Sequence, residues 1–176
     1  KMKHFMDIEE IPVVTKALLQ TVPLSERSYL GNNEKYSLSN TGGSSGTPFE
    51  FFVNKAVSGN EWAHVHDFWQ EFGYNSSSLK VYFGGRNNVI GPGKYDSLRH
   101  HFAVNINLDW QEVADYLLIV FKQYSPKFLH GYPSCIFDFL LWVHKNDHPL
   151  KLVLNRKIKA VFLASEYPNP NLRKIV

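Results

Sequence analysis

Short strand-like runs alternate with longer helical stripes through most of the chain, and this alternation constrains the fold more than any other feature. The runs are 49–54, Lys80–Phe83, 101–107, 127–130 and 158–164, the last being the clearest buried strand. Over 55–72, Val57, Trp62, Val65, Phe68, Trp69 and Phe72 recur near the 3.6-residue period of a helix. Val113, Tyr116, Leu117, Val120 and Phe121 do the same after Asp109, and Ile136, Phe137, Leu140, Leu141 and Val143 after Ser134. Asp109 with Glu112 three residues later is a variant capping box, Gly73 suits the position just past a helix, and Pro126 stops the second helix. The third ends near Asn146, before Pro149. A turn at 165–170 leads into a final helix near Asn171. This order predicts an α/β fold with a substantially parallel sheet and flanking helices. Upstream, Pro12 interrupts any helix begun at Asp7, and Thr15 caps a short helix from Lys16.

One stretch stands apart. Thr41-Gly42-Gly43-Ser44-Ser45-Gly46-Thr47-Pro48 carries three glycines and four hydroxyl residues between two strand-like segments. Glycine admits φ > 0, so successive N–H groups can point into one concavity, and short hydroxyls add donors around it. Such a concavity suits phosphate oxygens. A flexible linker or a plain hairpin turn has the same composition. The Walker pattern fails, because no Lys follows a suitably spaced Gly and the next segment is strand-like. Gly42-Gly43-Ser44-Ser45-Gly46 matches the serine-hydrolase elbow literally. That elbow needs strand, turn and helix, whereas Pro48 and an aromatic strand follow here.

The 176 residues suit one compact domain. Net charge is only +3 with no cluster of basic residues, so nucleic-acid or anionic-membrane binding gets no support. Cys135 is the single cysteine, which excludes an internal disulfide and fits a reducing cytoplasm. No apolar run is long enough to span a membrane. The opening Lys1-Met2-Lys3-His4-Phe5-Met6 is too short and polar for a signal peptide and shows no evident start, so a piece of a larger protein is expected.

The glycine stretch closely resembles the phosphate-binding loop of the adenylate-forming enzymes, approximately [ST]-[SG]-G-[ST]-[ST]-G-x-P between two strands. Many members have Lys before the Pro where this chain has Thr47. Four further features stand in the order found in the phenylacetate–coenzyme A ligase and CapK-like branch. They are Ile11-Pro12-Val13-Val14-Thr15-Lys16, the Gly84-Gly85-Arg86 turn, Leu129-His130-Gly131-Tyr132-Pro133-Ser134, and a hydrophobic strand closing on Ser165-Glu166. The resemblance covers nearly the whole chain. It implies an incomplete N-terminal adenylation (AMP-binding) domain over 1–176, with the small C-terminal domain, its catalytic Lys and the Mg²⁺-holding Glu motif outside the chain.

The resemblance also implies an AMP-forming ligase that activates a small-molecule carboxylate with ATP and then passes the acyl group to coenzyme A. Thr41, Gly42, Gly43, Ser44, Ser45, Gly46 and Thr47 would hold the ATP phosphates. Ser165, Glu166 and Tyr167 would lie near the adenine, with Pro168 displaced by one position from the family's pattern. Tyr132 would wall the acyl pocket, and Arg86 could reach a carboxylate or phosphate. A fragment of this kind is expected to be inactive alone. A non-catalytic binding or assembly module on the same fold and a serine hydrolase remain as alternatives.

The eight histidines lack metal-ligand spacing: His64 and His66 would face apart on a helix, and His144 and His148 lie at a helix end. No metal site is expected within the chain. Cys135 follows a helix start that could stabilise a thiolate, but a small buried hydrophobe has the same appearance. Ser134 reads as a turn residue rather than a nucleophile.

Overall fold

The computed structural model describes residues 11–30, 35–41, 48–85 and 89–175. The chain divides into two compact units, Lys1–Val65 and His66–Val176.

In the first unit, helix α1 (Lys16–Gln20) starts as expected, with the Thr15 hydroxyl accepting from the Leu18 N–H at 3.2 Å. Strands β1 (Tyr36–Asn40) and β2 (Glu50–Asn54) form an antiparallel hairpin paired from Tyr36↔Asn54 to Asn40↔Glu50. Helix α2 (Val57–Gln70) begins here, and its last turn belongs to the second unit.

The second unit is built on a five-stranded sheet in the order β4-β5-β3-β6-β7. The strands are β3 (Lys80–Phe83), β4 (Gly93–Asp96), β5 (His101–Val104), β6 (Phe128–Gly131) and β7 (Ala160–Leu163). Strands β5, β3, β6 and β7 are mutually parallel, and β4 pairs antiparallel with β5. Helices α3 (Trp110–Gln123), α4 (Pro133–Lys145) and α5 (Leu150–Lys157) follow the strand–helix alternation. Asp109 caps α3, its carboxylate accepting from the Gln111 N–H at 2.7 Å.

Alternate residues of each strand point to opposite faces. Val81, Phe83, Phe102, Val104 and Leu129 pack with the apolar stripes of α3, α4 and α5 into the main core. Each such side chain contributes about 1.5–3 kcal/mol of burial free energy, which is what holds the helices on this face. The intervening residues Lys80, Tyr82, His101, His130 and Phe162 form a second, largely aromatic and titratable face. Trp69, in the last turn of α2, stacks on Phe162 at 4.1 Å and 4°.

Three elements differ from the sequence reading. Strand β4 lacks an apolar run and forms as an edge partner of β5. Helix α5 follows Pro149 without a usual capping residue; the ring of His148 supplies the cap, its Nδ1 accepting from the Leu150 N–H at 3.2 Å. The final segment Pro170–Ile175 is a 3-10 helix.

Candidate functional site

Two regions carry the residues singled out by sequence. The first is the hairpin end. Beyond the last β1–β2 pair, the Thr41 N–H donates to the Phe49 carbonyl at 3.0 Å, and the Thr41 hydroxyl accepts from the Phe49 N–H at 3.1 Å. The two bonds close the loop at its base. Gly42, Gly43, Ser44, Ser45, Gly46 and Thr47 lie outside the described residues. The next described element after the loop is the strand Glu50–Asn54, where a hydrolase elbow calls for a helix.

Arg27, which no sequence pattern marks, holds the outgoing limb of this loop. Its guanidinium lies 4.4 Å from the Phe49 ring centroid, and Nη1 donates to the Glu50 carbonyl at 2.9 Å. Its Nε is buried with no hydrogen-bond partner among the described residues. Gln20 adds a side-chain bond to the Pro48 carbonyl at 3.4 Å.

The second region is the carboxyl edge of the parallel strands, where open α/β sheets place their ligands. The segments leaving β3, β6 and β7 meet there. Tyr132 N–H donates to the Phe83 carbonyl at 2.9 Å, and Ala164 N–H donates to the Gly131 carbonyl at 3.0 Å. Gly131 has φ +148, and a Cβ there would run into the Phe83 carbonyl, so only glycine allows this close approach. A Cβ on Gly85 would stand 3.4 Å from the Tyr132 ring, which places the Gly84-Gly85 turn beside Tyr132. Arg86 lies outside the described residues.

The turn after β7 carries Ser165, Glu166 and Tyr167. Ser165 adopts φ +70, and Tyr167 is 88% exposed. The Glu166 carboxylate accepts from the Ser134 N–H at 2.9 Å through one oxygen and from the Ser134 hydroxyl at 3.1 Å through the other. Helix α4 opens with Tyr132 at its N-cap and Pro133 at N1, and the N-cap makes no side-chain capping bond. Glu166 therefore supplies the missing cap from another segment. The sequence signal for such a partner is the helix start itself, Gly131-Tyr132-Pro133-Ser134, which lacks a usual capping residue at the N-cap.

Cys135 is half-buried, and burial raises its thiol pKa, only partly opposed by the Ser134 hydroxyl. The helix start thus does not yield an activated thiolate. On the titratable face of the sheet, the Lys80 ammonium donates to the Tyr74 hydroxyl at 2.9 Å and the Arg99 carbonyl at 3.0 Å. Burial pushes its pKa down to about 8, with Asp96 opposing. His101 is pushed down to about 4 by burial and then by Lys80. His130, bonded through Nδ1 to the Phe162 carbonyl at 2.9 Å, is also lowered, mainly by burial. Tyr82 stacks against His101 at 4.9 Å and lies 5.4 Å from His130.

Among the described residues, no group of three or more His, Cys, Asp or Glu side chains is arranged to hold a metal ion, and no helix is long and apolar enough to cross a membrane. A groove of about 550 Å³ with a mixed polar and apolar lining includes Phe137, Leu140, Asn155, Lys159, Val161 and Leu163.

The chain matches no protein-family model and no curated protein. It does match solved structures. One is an open conformation of 2-hydroxyisobutyryl-CoA ligase in complex with 2-HIB-AMP and CoA, at TM-score 0.57 and 16% identity. The likeness covers 93% of this chain and 39% of that one. The mixed α/β architecture, with its mostly parallel five-stranded sheet and flanking helices, is thus the fold of a section of an acyl-CoA ligase domain.

Proposed function

We propose that this chain is part of an ATP-dependent, AMP-forming enzyme that activates a small-molecule carboxylate and then transfers the acyl group to coenzyme A, of the phenylacetate–coenzyme A ligase and CapK-like kind. The observation that carries this reading is the likeness in fold to a CoA ligase over 93% of the chain, beside the sequence resemblance of the glycine loop and the Ser165-Glu166 turn to that superfamily.

In the proposed reaction, a carboxylate oxygen of the substrate attacks the α-phosphorus of ATP. The bond to the bridging oxygen breaks, and pyrophosphate leaves. The protein contributes positioning and charge stabilisation rather than covalent chemistry. The amides of the loop and the hydroxyls of Thr41, Ser44, Ser45 and Thr47 are assigned to the phosphates that depart. The Thr41 hydroxyl oxygen already accepts from Phe49, and its own proton is what it would offer. The turn of Ser165, Glu166 and Tyr167 is assigned to the adenine, and Tyr132 to the acyl side. Arg86 is a further candidate for an anionic group. Mg²⁺ supplies charge neutralisation on the phosphates in such chemistry, and its principal carboxylate ligand is expected outside this chain.

ATP–pyrophosphate exchange with a panel of carboxylates tests the reading on the full-length protein. Replacing Ser44 and Ser45 together by Ala is expected to lower exchange at least about tenfold. Unchanged exchange in that variant removes the loop from the phosphate site. Binding of a partner with no exchange for any carboxylate would favour a non-catalytic module on the same fold.

A further inference from the structure

We propose that Glu166 is a positioning residue: by seating its carboxylate on Ser134 at the start of α4, it fixes the turn after β7 at the carboxyl edge of the sheet. The importance of the turn to a nucleotide rests on the reading above; the anchoring itself does not.

Three observations carry the inference. The ladder bond from Ala164 N–H to Gly131 O is the last that β7 makes before the chain leaves the sheet. Between Ala164 and Asn169, the hydrogen bonds found among the described residues are the two that Glu166 accepts. Ser165 sits at φ +70, a conformation a non-glycine residue keeps only when its surroundings hold it. The carboxylate is a suitable clamp. Both its oxygens are engaged in charge-assisted bonds, and it faces the positive end of a 13-residue helix. Tyr167 follows directly and is exposed, so the direction of its ring depends on where Glu166 is held.

Glu166 is thereby distinguished from Ser165 and Tyr167. The three are neighbours in sequence, but the carboxylate is turned towards Ser134. Removing it should loosen the turn without deleting a ligand contact, and the effect should depend on Ser134.

The test is a double-mutant cycle in the full-length protein, with Glu166→Ala, Ser134→Ala, the pair, and Glu166→Gln as the variant that preserves shape. AMP is the probe, and thermal unfolding and hydrogen exchange of the Ser134 amide are read alongside. Glu166→Ala is expected to weaken AMP binding about tenfold and to expose the Ser134 amide to exchange, with the double variant no weaker than Glu166→Ala alone. Glu166→Gln, which keeps one acceptor oxygen, should fall between. Wild-type AMP affinity in Glu166→Ala, or strictly additive losses in the pair, would overturn the positioning role. If the wild type binds no AMP, the nucleotide reading fails. The amide then decides the anchoring: exchange accelerated by Glu166→Ala upholds it, and unchanged protection refutes it.

Discussion

Among the described glycines, Gly131 has the least room for a side chain. Its backbone passes so close to the Phe83 carbonyl that a methyl group has nowhere to go, and its neighbour Tyr132 donates to that same carbonyl at 2.9 Å. Gly131→Ala should therefore cost about 3 kcal/mol or more, through overpacking against backbone rather than against a yielding side chain. Urea unfolding of the second unit measures it, and a midpoint equal to the wild type would show that β6 can move away from β3. His148 makes the opposite point. A histidine beside Asp147 and Pro149 suggests a fraying helix end, yet it is buried. Its Nδ1 accepts from Leu150 and its Nε2 lies 3.2 Å from Asp115, so the proton is assigned to Nε2. No local pattern announces this, because the Asp115 partner comes from α3.

At the scale of elements, the titratable face of the sheet sets a pH dependence. His101 has its pKa pushed from 6.5 to about 4, so the fold holds it neutral while the unfolded chain takes up a proton below 6.5. Stability should fall as pH drops from about 6.5 towards 4, and His130 adds in the same direction. Lys80 has its pKa pushed from 10.5 to about 8, so between those values the unfolded chain keeps a proton that the fold has lost. Stability should rise with pH across that second window. A tenfold difference in proton affinity between fold and unfolded chain is worth at most about 1.4 kcal/mol. Thermal midpoints from pH 4 to 10 would reveal both limbs, and a flat profile would contradict the assignment. Lys80→Met should move the His101 titration upward, because Lys80 is the second cause of its depression; histidine ring resonances followed by NMR would report it.

The elements themselves were unevenly legible in sequence. Strands β3, β6 and β7 and helices α2, α3 and α4 are readable because their apolar periodicity reports burial directly. Strand β4 is not, since Gly93-Lys94-Tyr95-Asp96 is an edge strand defined by its pairing with β5. Helix α5 is obscured by a proline at its N-cap and a cap made by a histidine ring. For the candidate site, residue types were visible but partnerships were not. Glu166 could be picked out by motif, whereas its bond to Ser134, 32 residues earlier, is a property of the folded sheet. Arg27 gave no signal at all, because its place over Phe49 depends on how the hairpin packs in the first unit.

On the scale of the whole molecule, the chain spans 39% of the length of the ligase it matches. The proposed activity is accordingly a proposal drawn from a ligase of which this chain matches only a part. These 176 residues expressed alone should show no carboxylate-dependent ATP–pyrophosphate exchange, because the Mg²⁺ glutamate and the lysine of the small domain are expected outside them. Robust exchange by the isolated chain would require catalytic groups that the family resemblance does not assign here.

The base of the glycine loop is closed by Thr41 and Phe49, within a hairpin whose partners are near neighbours along the chain. The sheet of the second unit is different, for β6 must find β3 across the whole of β4, β5 and α3. Local hairpins close in about 1–10 μs, while parallel pairings wait on slow loop closure. In folding time, the hairpin end can therefore be shaped before the sheet exists. Substitutions in β1 or β2 should then act on the loop's geometry while leaving the rate at which the sheet assembles untouched.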